Sequence, residues 1–167
     1  MPDLKAQVGA TDAQLGGALL CSAVGGLIAM AAAPRVGRLL GRFAMSVLCV
    51  MVSVALLLPL IAWNVASFAM VMFCVGILVA SLDILTNVEI SARESRFGLH
   101  LMGFNHAMFS FAFAGAALGT GLARQAGAGP ADILPVLSVV GLVRAVLSYL
   151  PDSAQGDTDD AEAAGGK

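Results

Sequence analysis

Five stretches of this chain, residues 15–33, 43–63, 67–87, 101–124 and 133–150, are nearly unbroken runs of apolar side chains, each long enough to cross a lipid bilayer. A crossing helix needs about 20 residues at 1.5 Å rise to span a hydrocarbon core of about 30 Å, and its backbone amides must bond internally. Barrel strands would alternate polar and apolar residues, and these runs do not. The expected fold class is therefore an all-α membrane protein with five transmembrane helices. Composition agrees, with 59% of residues hydrophobic, 12% charged and a mean hydropathy of +0.89. Pro34 is expected to halt the first run, whereas Pro135 falls in the first turn of the last run, where proline is tolerated, and Pro151 follows its end.

The flanks differ from this central bundle. Residues 1–14 read as an external loop-like leader that ends in a helix cap at Thr11 or Asp12. They carry no basic and apolar signal peptide, so a further segment is expected upstream, the other reading being a genuine five-helix protein with its amino terminus outside. Residues 151–167 are rich in Asp and Ala, with Asp152, Asp157, Asp159, Asp160 and Glu162, and read as a disordered acidic cytoplasmic tail. The formal net charge of -2 comes largely from this tail and says nothing about partners.

Basic residues orient the bundle. Arg35, Arg38 and Arg42 lie between the first two runs and Arg93 and Arg96 between the third and fourth, against Lys5 and Arg124 on the other side. Five against two places the amino terminus outside and the carboxyl terminus in the cytoplasm of a cell that would hold the protein in its inner (plasma) membrane. Trp63 and Tyr149 sit at run ends, where amphipathic rings favour the headgroup region.

Several function classes find no support. Cys21, Cys49 and Cys74 are odd in number and lack a C-x-x-C spacing, and His100 and His106 are six apart, off the spacing that puts two imidazoles on one helical face. No metal and no cofactor is expected. No Walker loop, dinucleotide glycine fingerprint, Ser-His-Asp constellation or basic nucleic-acid surface is present, so neither enzymatic activity nor ATP-driven pumping is expected.

Asp83 is the residue with chemistry to explain. It lies near the end of an apolar run, where a carboxylate in hydrocarbon costs about 2.5–3.5 kcal/mol on insertion scales and usually faces a bundle interior or a water-filled path. Two readings stand: a proton-loading group in a cavity, or a carboxylate close enough to the cytoplasmic end to be hydrated or paired with Arg93 or Arg96. Asn87, one turn on, shares its helical face and can both donate and accept. His106 is a candidate partner if the neighbouring helices cross at similar depth, with side-chain packing as its other reading, and Arg144 is an alternative counter-ion.

Residues 83–119, DILTNVEISARESRFGLHLMGFNHAMFSFAFAGAALG, resemble the fourth and fifth helices of major facilitator superfamily transporters, in the fucose-permease-like branch. Asp83, Asn87, Glu94, His106 and Phe109 with Ser110 fall where that branch has its acidic residue, Asn, loop Glu, His or Gln, and F-S-x-G-like stretch. The loop signature G-x-L-A-D-R-x-G-R-K is matched in part by residues 30–39, where Arg35, Gly37 and Arg38 agree while Met30 and Pro34 replace its first Gly and its Asp. The resemblance implies that the five runs correspond to the family's second through sixth helices, part of an amino-terminal half built from two inverted three-helix repeats. It further implies a substrate and proton pathway at Asp83, Asn87, His106 and Phe109, and a gating loop at Arg35, Gly37, Arg38 and Glu94. That loop has a second reading, as simple positive-inside anchoring. The implied activity is movement of a small solute, proton-linked, with the remaining transporter half or another membrane subunit as partner besides the lipid bilayer. The competing reading is a non-transporting membrane fragment or scaffold derived from such a transporter.

Overall fold

The computed structural model describes residues 2–149, so the tail at 151–167 lies outside the described residues. Among them the chain is helical, in the order α1 (Pro2–Val8), α2 (Asp12–Leu40), a 3-10 turn (Gly41–Phe43), α3 (Ala44–Ala55), a second 3-10 turn (Leu58–Ile61), α4 (Val65–Phe97), α5 (Leu101–Gln125) and α6 (Pro130–Tyr149). Among the described residues four continuous helical elements are long and apolar enough to cross a membrane, the first being the 50-residue stretch Asp12–Ile61. At 1.5 Å per residue that stretch would be about 75 Å long as a rod, well beyond a bilayer core. Gly41, at φ 51°, breaks it. Gly37 before the break touches Leu85, and Met45 after it lies 4.0 Å from Thr86 Oγ1, so both arms meet the same turn of α4 and the chain reverses there.

The leading segment is not a loop. Pro2 opens α1, Asp3 sits in its first turn, and Leu4 and Val8, one turn apart, are buried in a cluster with Ala10, Ala18, Ala62 and Phe68. Phe68 is only 1% exposed. Gly9, at φ 65°, ends the helix. Gln7 Nε2 donates to the carbonyls of Leu60 (3.0 Å) and Ala62 (2.8 Å), where the second 3-10 turn ends. Arg124 Nη1 reaches Asp3 Oδ2 at 2.8 Å, so α1 also holds the far end of α5. That hydrogen bond keeps the Asp3 carboxyl below its ordinary pKa. A depressed carboxylate pKa means the tie is complete above the ordinary range and is lost as pH falls through the lowered value.

Local signals set the helix starts. Thr11 caps α2 reciprocally with Gln14, and Asn64 caps α4 reciprocally with Ser67. α2 does not stop at Pro34 but runs six residues further, to Leu40. A proline inside a helix forfeits one backbone bond and costs about 3 kcal/mol. The helix continues because Ala33 is fully buried and Gly37 packs on Leu85, so its last turns are held from outside. α4 likewise extends ten residues past the apolar run, through a polar segment braced by the Glu89–Arg93 pair at 3.1 Å. α6 begins at Pro130, which moves Pro135 from the first turn into the helix.

Two close crossings organise the bundle. α2 and α4 run parallel, with Gly25 against Phe73 and Ile77, Gly76 against the backbone of Ser22, and Gly37 against Leu85. α3 packs on α6, where Ser138 Oγ donates to Ser53 O at 2.7 Å and Gly141 faces the Ser53 side chain. Lipid tails are as apolar as leucine, so close backbone approach and interhelical hydrogen bonds, rather than apolar burial, hold such crossings together. α5 stands apart: none of its residues is buried, and Gly103, Gly115, Gly119 and Gly121 have nothing near the position a Cβ would take.

Candidate functional site

α4 carries the candidate residues. Its 33 residues make a rod about 50 Å long, so a bilayer of about 30 Å leaves its last turns in water. Trp63, exposed just before the helix, marks the other boundary. Asp83 stands 18 residues after Val65, about 27 Å along the axis, which in a bilayer core of about 30 Å beginning at Val65 is near the far edge rather than the centre. Its side chain is exposed, and Asn87, one turn on, is half-buried. Thr86, between them in height, donates to Leu82 O at 2.8 Å.

His106 does not lie at the depth of Asp83. α4 ends at Phe97, Gly98 at φ 64° turns the chain in the left-handed conformation that favours glycine, and α5 begins at Leu101. Asp83 is 14 residues before the end of α4, about 21 Å, whereas His106 is five residues into α5, about 7 Å. In two antiparallel neighbours the level of Asp83 is met near Gly115, about two and a half turns beyond His106. Both side chains are exposed, and His106 offers its carbonyl to Ser110 Oγ at 2.9 Å. Phe109 is also exposed and stacks on Phe113, with ring centroids 6.4 Å apart and planes 21° apart.

The expected gating residues lie toward the carboxyl-terminal ends of α2 and α4 but not at one height. Arg35 Nη1 donates to Ala31 O at 3.1 Å, Gly37 rests on Leu85, and Arg38 is exposed. Glu94, expected to reach the α2 arginines, instead lies 3.9 Å from His100 Nδ1. The reason is length: α4 carries Glu94 nine residues beyond Leu85, about 13 Å past the level of Gly37. No ion pair joins Glu94 to Arg35 or Arg38 among the described residues.

Sequence reasoning singled out the carboxylate and the arginines but missed the contacts that hold the α2–α4 and α3–α6 crossings. Gly76, and the set Ser53, Ser138 and Gly141, carry those crossings. Small or hydroxylated residues inside apolar runs were the available signal. The three cysteines are unpaired, and Cys49 O accepts from Ser53 Oγ at 2.7 Å.

Comparison with known protein families, with curated proteins and with solved structures finds no match for this chain. The fold itself defines the class, an all-helical architecture of long apolar helices that fits a multi-pass membrane protein.

Proposed function

We propose that this chain is part of a proton-linked secondary transporter of the major facilitator type, crossing the membrane five times through α2 to α6 and moving a small solute. The observation that carries this reading is the pattern of helix pairing. In two inverted repeats, the two-fold that exchanges α2 with α5 and α3 with α6 maps an α3–α6 contact onto itself. It maps the α2–α4 contact onto one between α5 and a counterpart of α4. The bundle has a close α3–α6 contact and a glycine-lined α2–α4 contact, while the glycines of α5 face open space. A further helix beside α5 completes the symmetry and supplies a second cavity wall facing α4.

Asp83 then serves at the inner mouth of the pathway. Hydrated when the mouth is open, it holds its charge; covered when the mouth closes, it is desolvated, which favours the protonated form. Asn87 orients solute or carboxyl from one turn away. The arginines Arg35 and Arg38, at the same height, are the mobile counter-charges of the gate.

The test is uptake into proteoliposomes holding the assembled protein, using a panel of labelled hexoses and deoxyhexoses with and without an inward proton gradient. The parent is expected to accumulate at least one sugar under the gradient, and Asp83→Asn to lose the gradient dependence. Accumulation by the variant that still follows the gradient removes Asp83 as the coupling site. A parent indistinguishable from protein-free vesicles across the panel favours a scaffold.

Orientation has its own check. In a background without cysteine, Ala126→Cys, at the α5–α6 turn, is expected to react with an impermeant maleimide added to intact cells. Ala92→Cys, on the protruding end of α4, is expected to react only after permeabilisation. The opposite pattern reverses the assigned topology.

A further inference from the structure

We propose that α1 is a strap across the end of the bundle where α4 begins and α5 ends, and that the end of α5 swings outward when the Asp3–Arg124 pair opens. The strap is firm on one side. Seven residues do not hold a helix on their own in water, so α1 is ordered by what it rests on. Leu4 and Val8 are buried in one cluster with Ala18 of α2 and Phe68 of α4. Gln7 Nε2 reaches three carbonyls between α3 and α4, those of Pro59 (3.3 Å), Leu60 (3.0 Å) and Ala62 (2.8 Å). Lys5 Nζ adds a bond to Asp12 Oδ1 at 2.5 Å, where α2 starts.

The other side is a single pair. Arg124 with Asp3 is the one ion pair that joins α5 to another helix among the described residues. Its two side chains stay 36% and 50% exposed, and pairs so open to water contribute little. Lys5, the other cation on α1, is engaged by Asp12, so Asp3 answers to Arg124. The rest of α5 resists little. None of its residues is buried, and it lies between two short turns, residues 98–100 and 126–129, each with a glycine at positive φ, Gly98 at 64° and Gly127 at 94°. Such turns absorb the dihedral changes of a hinge. With α5 about 37 Å long, a tilt of about 10° at Gly98 carries its far end about 6 Å, enough to break the pair while α1 keeps its seat on α2 and α4. The motion concerns the end of the bundle away from Asp83 and does not depend on whether the chain transports a solute.

The experiment is double electron–electron resonance on the full chain in lipid nanodiscs, with spin labels at the exposed positions Ala13→Cys and Leu122→Cys in a background without cysteine. The parent is expected to give one main distance with a minor longer component. Asp3→Asn or Arg124→Gln is expected to raise the longer component about two- to five-fold, the range for loss of an exposed ion pair. Both substitutions together are expected to do no more than either alone, because they break one contact. A control pair at Ala13→Cys and Met70→Cys, which joins α2 and α4 at the same end, is expected to stay unchanged. Unaltered distances to Leu122→Cys in both single variants overturn the proposal, as does a double variant that adds the two effects. An equal shift of the control pair also overturns it, because α1 would then clamp the whole end rather than α5.

Discussion

Gly76→Ala is expected to force α2 and α4 apart and to lower the unfolding free energy by about 3 kcal/mol, the upper end for overpacking a close contact. A Cβ at position 76 would stand 2.1 Å from the carbonyl oxygen of Ser22, and 2.7 Å from its carbon. Both neighbours are backbone, so no rotamer change relieves the clash. Either the helix axes separate or one helix bends. Separation also removes the close approach at Gly25, whose own Cβ would lie 2.4 Å from Phe73 O, so the two glycines act as one contact. Gly76→Ala and Gly25→Ala together are therefore expected to cost less than their sum. Unfolding of the purified protein by graded denaturing detergent, followed by circular dichroism, measures the effect. Gly115→Ala is the control: nothing lies within 4 Å of its Cβ position, and alanine has the better helix propensity, so it should be neutral or slightly stabilising in the isolated chain. A Gly76 variant as stable as the parent would mean that α2 and α4 are not in contact at this height.

The second large effect is expected at α3–α6, with a graded outcome. The Cβ of an alanine at position 141 would meet Ser53 Oγ at 2.2 Å, but that neighbour is a side chain that can rotate. Rotation breaks the bond from Ser53 Oγ to Cys49 O, so Gly141→Ala should cost about 1 kcal/mol, within the measured range for hydrogen bonds inside membrane proteins. Leucine cannot be absorbed this way, because Ser53 Cβ lies only 3.3 Å from the same point, and Gly141→Leu should cost about 2–3 kcal/mol. The expected order of destabilisation is Gly76→Ala at or above Gly141→Leu, then Gly141→Ala. The same detergent titration ranks them. An alanine at 141 more damaging than one at 76 would contradict the distinction between backbone and side-chain neighbours.

How far the sequence disclosed this architecture depends on what each feature rests on. The apolar runs and the cap at Thr11 were legible, because both depend on residues close in sequence. α1 was not, since seven residues form a helix there only because Leu4 and Val8 find Phe68 and Ala62, about sixty residues away. Pro34 misled for the same reason: its local penalty was outweighed by Ala33 and Gly37 packed on other residues. The last ten residues of α4 were hidden because a search for apolar runs ends where the charges begin, yet Glu89 and Arg93 at four-residue spacing support a helix in water. In the candidate site the Asp83 and Asn87 spacing was visible at once. The height of Asp83 relative to His106 and Glu94 was not, because it follows from the length of α4 and the three-residue turn after it.

The clear flank of α5 bears on the order of biogenesis. A helix fastened at its two ends, by the short turn after α4 and by Arg124 on Asp3, while none of its own residues is buried, leaves a berth that a latecomer can enter sideways through the lipid. Nothing already folded has to be dismantled to admit it. The other helices can therefore settle against one another during synthesis, and a neighbour that docks on this flank can be the last to arrive.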